Sequence, residues 1–135
     1  SLPYVCPVCY VDERPMLDGG IVDSIPLERA ISQGYEKNIV VLTRNKGYRK
    51  KEKIIKHPSF VYHQYPQLRQ ALAMRNVLYN KQLEMIERME DEGRIIVIRP
   101  ERPIVVDRME RNVQKLTDLY NEGYACAENI FSRSL

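Results

Sequence analysis

Two short apolar blocks stand out from a chain otherwise written in helical periodicity. Ile39-Val40-Val41-Leu42 and Ile95-Ile96-Val97-Ile98 are mostly β-branched runs of four residues. Such runs predict strands buried on both faces, as in a parallel sheet. Between them, from Gln67 to Glu92, Leu68, Leu72, Tyr79, Leu83 and Ile86 recur at spacings of three, four or seven. Ala71, Met74, Leu78, Met85 and Met89 form an adjoining stripe. An apolar face that wide predicts a long helix packed on a sheet or on other helices. Gly93 supplies its stop.

The flanking segments follow the same logic. Val8 to Val11 and Pro15 to Leu17 predict two short extended pieces around a polar Asp12-Glu13-Arg14 turn, although the Asn-Gly of the favoured hairpin is missing. Leu27, Ala30 and Ile31 give a two-turn helix its apolar face, with Pro26 in its first turn and Gly34 as its left-handed cap. Asp18 to Thr43 therefore predicts strand, tight turn, helix, strand, a right-handed crossover unit. Asp107 followed by Glu110 fits a capping box. The last helix is expected to carry Met109, Val113, Leu116, Tyr120, Ala127 and Ile130 on one face.

Composition narrows the function classes. With 135 residues, 44% hydrophobic and 29% charged, the chain is an ordinary globular domain or part of one. No apolar run approaches the roughly 20 residues of a membrane span, and no signal peptide opens the chain, so a cytoplasmic protein is expected. The net charge of +3 is too small a footprint for nucleic acid. Charge is concentrated in one place. From Arg44 to Lys56 seven basic residues stand against Glu52, which gives the segment +6 and leaves −3 for the rest. A solvated loop is the plain expectation. The functional alternative is peripheral contact with an anionic membrane through Arg49, Lys50, Lys51 and Lys53, with Tyr48 at the interface.

Metal chemistry finds little support. Cys6-Pro7-Val8-Cys9 has the spacing of half a zinc knuckle, but only Cys126, His57 and His63 remain to complete four ligands. Free thiols, no metal and no cofactor are expected. The histidines do not build a triad either, because no serine stands in a Gly-x-Ser-x-Gly context.

One stretch organises the remaining chemistry: Met16-Leu17-Asp18-Gly19-Gly20-Ile21-Val22-Asp23-Ser24-Ile25-Pro26. Two adjacent glycines permit backbone angles closed to other residues, so a sharp turn is expected beside Asp18. A carboxylate at a strand end can serve as the base for a hydroxyl nucleophile, which is weak at neutral pH without one. Asp23 is a second acid in the same loop, expected to bond backbone N–H groups there rather than to act in acid–base chemistry.

This motif, with Leu27-Glu28-Arg29-Ala30 and Ile39 to Arg44, closely resembles the C-terminal half of a bacterial patatin-like phospholipase. The likeness extends through Gly47-Tyr48-Arg49-Lys50, Tyr79-Asn80, Arg94 to Pro100 and Leu119-Tyr120. The resemblance implies an α/β chain: the C-terminal part of a patatin-like three-layer α/β/α fold in residues 1–50, followed by a helix-strand-helix extension in residues 51–135. It implies that Asp18 is the aspartate of a Ser-Asp dyad, with Gly19 and Gly20 as structural members of the motif. The substrate would be a phospholipid or other acylglycerol. The family's serine elbow and glycine-rich oxyanion loop do not occur in this chain and are expected upstream of Ser1. On its own, the chain is then expected to be catalytically silent and to self-associate through strand edges left open. The rival expectation is a non-catalytic membrane- or partner-binding module, such as a pseudoenzyme tail.

Overall fold

A computed structural model describes residues 8–51, 62–107 and 109–134. Helices and small sheets alternate along the chain, which places it in the mixed α/β class. The chain divides into two compact units. One comprises residues 1–26 and 49–84, the other residues 27–48 and 85–135.

In the first unit, β1 (Cys9–Val11) and β2 (Arg14–Met16) pair antiparallel, with Tyr10 opposite Pro15. The two linking residues, Asp12 and Glu13, both take positive φ, 47° and 63°. This is the backbone that a two-residue hairpin turn requires, reached here without glycine. Because β2 pairs, among the described residues, with β1 alone, it is not the first strand of a crossover reaching Ile39. The expected strand–turn–helix–strand unit beginning before Asp18 does not form as one sheet.

After β2 the chain enters a single 3₁₀ turn, Gly19–Ile21. The unit also holds the greater part of the long helix α2 (Pro66–Asp91), within one residue of the expected span at both ends. Ile21, Leu72 and Leu83 are buried here. Of the second stripe, Met74 and Leu78 stay exposed, so the helix buries a narrower face than its sequence offers.

The second unit contains α1 (Leu27–Ser32), β3 (Asn38–Val41), the last two turns of α2, β4 (Ile95–Ile98) and α3 (Val113–Ser134). Gly34 closes α1 as expected, at φ 90°, with Gly34 N–H on Ile31 O and Tyr35 N–H on Ala30 O. Gly93 closes α2 in the same way, at φ 68°. These paired bonds satisfy carbonyls that a helix end otherwise leaves open. β3 and β4 run parallel in register, Asn38 beside Ile95 and Val41 beside Ile98. The parallel pairing agrees with the apolar runs. Burial on both faces does not: Val40, Leu42, Ile95 and Val97 are buried, while Ile39 is 53% and Val41 69% exposed. In this two-stranded sheet, alternate β3 side chains have no covering layer among the described residues.

The loop after β3 is tied to the end of α2. Lys46 donates to Asp91 at 2.8 Å, Gly47 N–H donates to Glu87 at 3.0 Å, and Arg99 pairs with Glu90 and faces Glu87 at 3.8 Å. The hydrogen bond to Asp91 is the main reason that the Lys46 ammonium lies above its ordinary range, with Glu90 adding to it.

α3 begins later than its expected cap. Asn112 Oδ1 accepts from Lys115 N–H, and Glu110 accepts from the N–H groups of Arg111 and Asn112. These bonds, with Lys115 nearby, hold the Glu110 carboxyl below the usual range. The expected apolar face is also misplaced. Met109, Val113, Leu116 and Tyr120 are exposed, and Ala127 and Ile130 alone of that set are half-buried. α3 meets β4 instead, and a pocket beside β4 is lined from the helix by Leu119, Gly123 and Cys126. Among the described residues, no helix is long and apolar enough to cross a membrane.

Candidate functional site

Asp18 stands at the N-cap of the 3₁₀ turn, with φ −59° and ψ 122°. Its Oδ1 accepts from Gly20 N–H at 2.8 Å. A capping carboxylate satisfies a donor that the turn cannot satisfy itself. Among the described residues the second oxygen, Oδ2, takes no hydrogen bond. Asp18 is half-buried, so one oxygen is fixed while the other remains available.

The glycines do not serve in the expected way. The positive-φ glycines are Gly34, Gly47 and Gly93, and neither Gly19 nor Gly20 is among them. At Gly20 the value is room. A Cβ on Gly20 would stand 3.2 Å from Asp18 Oδ1 and 3.9 Å from Arg75 Nη2. The missing side chain leaves room for the carboxylate, which a Cβ would crowd, whereas the guanidinium would stand at ordinary contact distance. Beside Gly19 there is open space, with nothing within 4 Å of a Cβ position.

Three more side chains fasten the turn. Ser24 Oγ donates to Gly20 O at 2.8 Å, and Arg75 Nε–H donates to the same oxygen at 3.1 Å. Gln82 Nε2–H donates to Asp23 Oδ1 at 2.6 Å. Asp23 is thus a structural acid, but its partner is a helix side chain and not the backbone of its own loop. The Asp23 N–H bonds Gly19 O at 3.0 Å, so the main chain closes the turn and frees the carboxylate for α2.

The basic stretch is held by the same helix. Asn80, buried, meets Lys50 at both backbone groups: Lys50 N–H donates to Oδ1 at 2.8 Å and Nδ2–H donates to Lys50 O at 2.9 Å. Asn76 donates to Lys51 O at 3.0 Å. The Lys50 ammonium stands 3.7 Å from the centre of the Tyr79 ring, a cation–π geometry. Arg49 and Lys50 are half-buried and Lys51 is exposed. Lys53 lies outside the described residues, as do Cys6 and His57. Among the described residues, no three His, Cys, Asp or Glu side chains form a group that could hold a metal ion.

Of the sequence-derived residues, Asp18, Gly19, Gly20 and Asp23 share one turn, and Lys50 and Lys51 are bound to the same face of α2. The residues that sequence reasoning passed over are Ser24, Arg75 and Gln82. Arg75 and Gln82 lie seven apart with Tyr79 between, so they share a helix face. That polar interruption of an apolar helix was the available signal.

A family model described as "Domain of unknown function (DUF6363)" matches residues 65–134. The chain belongs to the DUF6363 family. No curated protein and no solved structure matches it. The DUF6363 segment opens at the start of α2 and therefore includes Arg75, Asn76, Tyr79, Asn80 and Gln82, while the Asp-Gly-Gly turn precedes it.

Proposed function

We propose that this chain is the C-terminal part of a patatin-like acyl hydrolase whose nucleophilic serine and oxyanion loop lie upstream. The observation that carries this is the Asp18 carboxylate: fixed through Oδ1 by Gly20 N–H, half-buried, and with no hydrogen bond to Oδ2 among the described residues. A base needs one lone pair in reach of the nucleophile's proton and a geometry that does not wander.

In this reading Oδ2 takes the serine proton as the serine oxygen bonds the acyl carbon of a phospholipid or other acylglycerol. The oxyanion collapses, the alcohol leaves with that proton, and an acyl-enzyme remains. Water then attacks it, giving its proton to Asp18, and the carboxylic acid departs as the serine is restored. Backbone N–H donors of the upstream loop hold the oxyanion. The three-layer sheet that the resemblance implies belongs to this proposal too, with β3 and β4 as part of it.

The purified 135-residue chain should show no turnover of a nitrophenyl acyl ester above buffer, because a base without its nucleophile loses nearly all of the acceleration. Serine-dependent turnover by this chain would contradict the proposal. In the full-length protein, Gly20→Ala should change thermal unfolding little, since the one tight contact of the new Cβ is with Asp18 Oδ1 at 3.2 Å and a shift of a few tenths of an ångström relieves it. It should nevertheless reduce kcat by on the order of 10-fold, the cost of a misplaced catalytic group. Gly19→Ala, with open space around it, is the control and should be milder.

A further inference from the structure

We infer that the first helix of the DUF6363 segment is the platform of the Asp-Gly-Gly turn, with Arg75 as its positioning residue. This rests on the hydrolase reading for its catalytic consequence but on geometry for the contact itself. α2 directs a row of polar side chains at two backbone segments. Arg75 and Gln82 hold residues 20–23, and Asn76 and Asn80 hold residues 50–51.

Within that row Arg75 lies nearest to the chemistry. Its Nε–H bonds Gly20 O, the carbonyl of the residue whose own N–H bonds Asp18 Oδ1. Gly20 is therefore gripped from both sides, by the aspartate at its amide and by the helix at its carbonyl. Ser24 fills the second lone pair of that carbonyl from within the turn. Without Arg75, the side-chain hydrogen bonds from α2 to residues 18–24 would be reduced, among the described residues, to that of Gln82 on Asp23. A single hydrogen bond adds modestly to net stability. Freedom of the carboxylate, by contrast, costs turnover directly, because displacement by about 1 Å can cost on the order of 100-fold in rate. Arg75 is accordingly expected to matter far more to kcat than to folding.

Two substitutions separate the donor from the charge. In Arg75→Gln the amide Nε2 sits the same number of bonds from Cβ as Arg Nε and still donates, without a cation. In Arg75→Met the shape is kept and the donor is lost. Both should be made in the full-length protein beside Asp18→Asn, with kcat and KM for a soluble nitrophenyl ester and hydrogen–deuterium exchange of the peptide containing residues 18–24 as readouts. Arg75→Met should lower kcat by on the order of 10- to 100-fold with KM little changed, and speed exchange in that peptide. Arg75→Gln should restore most of both.

A Met variant with the original kcat and exchange would overturn the inference, as would a Gln variant as impaired as the Met variant. Should the Met variant fail to fold, the Gln variant decides: folded and active supports the inference, folded and slow overturns it. If the original protein hydrolyses nothing, the hydrolase reading falls, and exchange alone judges Arg75. Faster exchange on Arg75→Met keeps its role in the turn, and unchanged exchange removes it.

Discussion

Replacing Asp18 by asparagine in the full-length protein is expected to reduce ester hydrolysis by roughly 10²–10⁴-fold, the usual worth of a positioned general base. The fold should survive. An asparagine Oδ1 can still accept from Gly20 N–H, so the cap that Asp18 provides is preserved. The other position becomes an NH₂ group, which donates and cannot receive a proton. The experiment therefore separates the two duties of one side chain. Turnover falls because the base is gone, while thermal unfolding changes little because the cap remains. Near-normal turnover in this variant would reduce Asp18 to a turn residue.

The second large effect concerns stability. Ile86 is 0% exposed and the largest fully buried side chain among the described residues. It belongs to the second unit, where Leu27, Val40, Leu42, Met89, Ile95 and Val97 are also buried. A site that tightly enclosed collapses poorly when atoms are removed. Ile86→Ala should cost about 2–5 kcal/mol, the transfer free energy of the lost methyl groups plus that of the cavity left behind. Urea unfolding followed by circular dichroism checks this through the midpoint, with the slope held constant. A loss below about 0.5 kcal/mol, the scale of an ordinary surface change, would mean that Ile86 is not enclosed.

Much of this architecture was legible from local chemistry. Gly34 and Gly93 ended their helices in the left-handed backbone that glycine alone enters cheaply. The run at Ile95 to Ile98 and that at Ile39 to Leu42 formed the two parallel strands. Periodicity found α2 because its apolar face is long, and length averages out exceptions. Facing was harder to read. The pattern on α3 offered one apolar stripe, yet the helix meets β4 along an adjacent one, because packing depends on what lies opposite. The same limit hid the burial of β3, whose alternate residues are bare although the run is uniformly apolar.

The candidate site was legible in part. Asp18 and its glycines could be picked out as a motif, but the reason for the glycines could not. They suggested unusual dihedral angles, and what matters at Gly20 is the absent Cβ beside the Asp18 carboxylate. Arg75 lies 55 residues away in sequence from the carbonyl it bonds. A contact at that separation leaves no local trace. Only the polar breaks in the α2 face hinted that the helix had something besides core to hold.

The most direct test of the central claim is covalent capture of the nucleophile. The full-length protein and its Asp18→Asn variant would be treated with a fluorophosphonate, in which a serine oxygen bonds phosphorus and fluoride leaves. The labelled serine would be located by mass spectrometry and the rate followed. One serine upstream of Ser1 should be labelled in the original protein, and the same serine on the order of 100-fold more slowly when Asp18 cannot accept its proton. No labelled serine upstream, or equal rates in the two proteins, would contradict the assignment of Asp18 as the base of an acyl hydrolase.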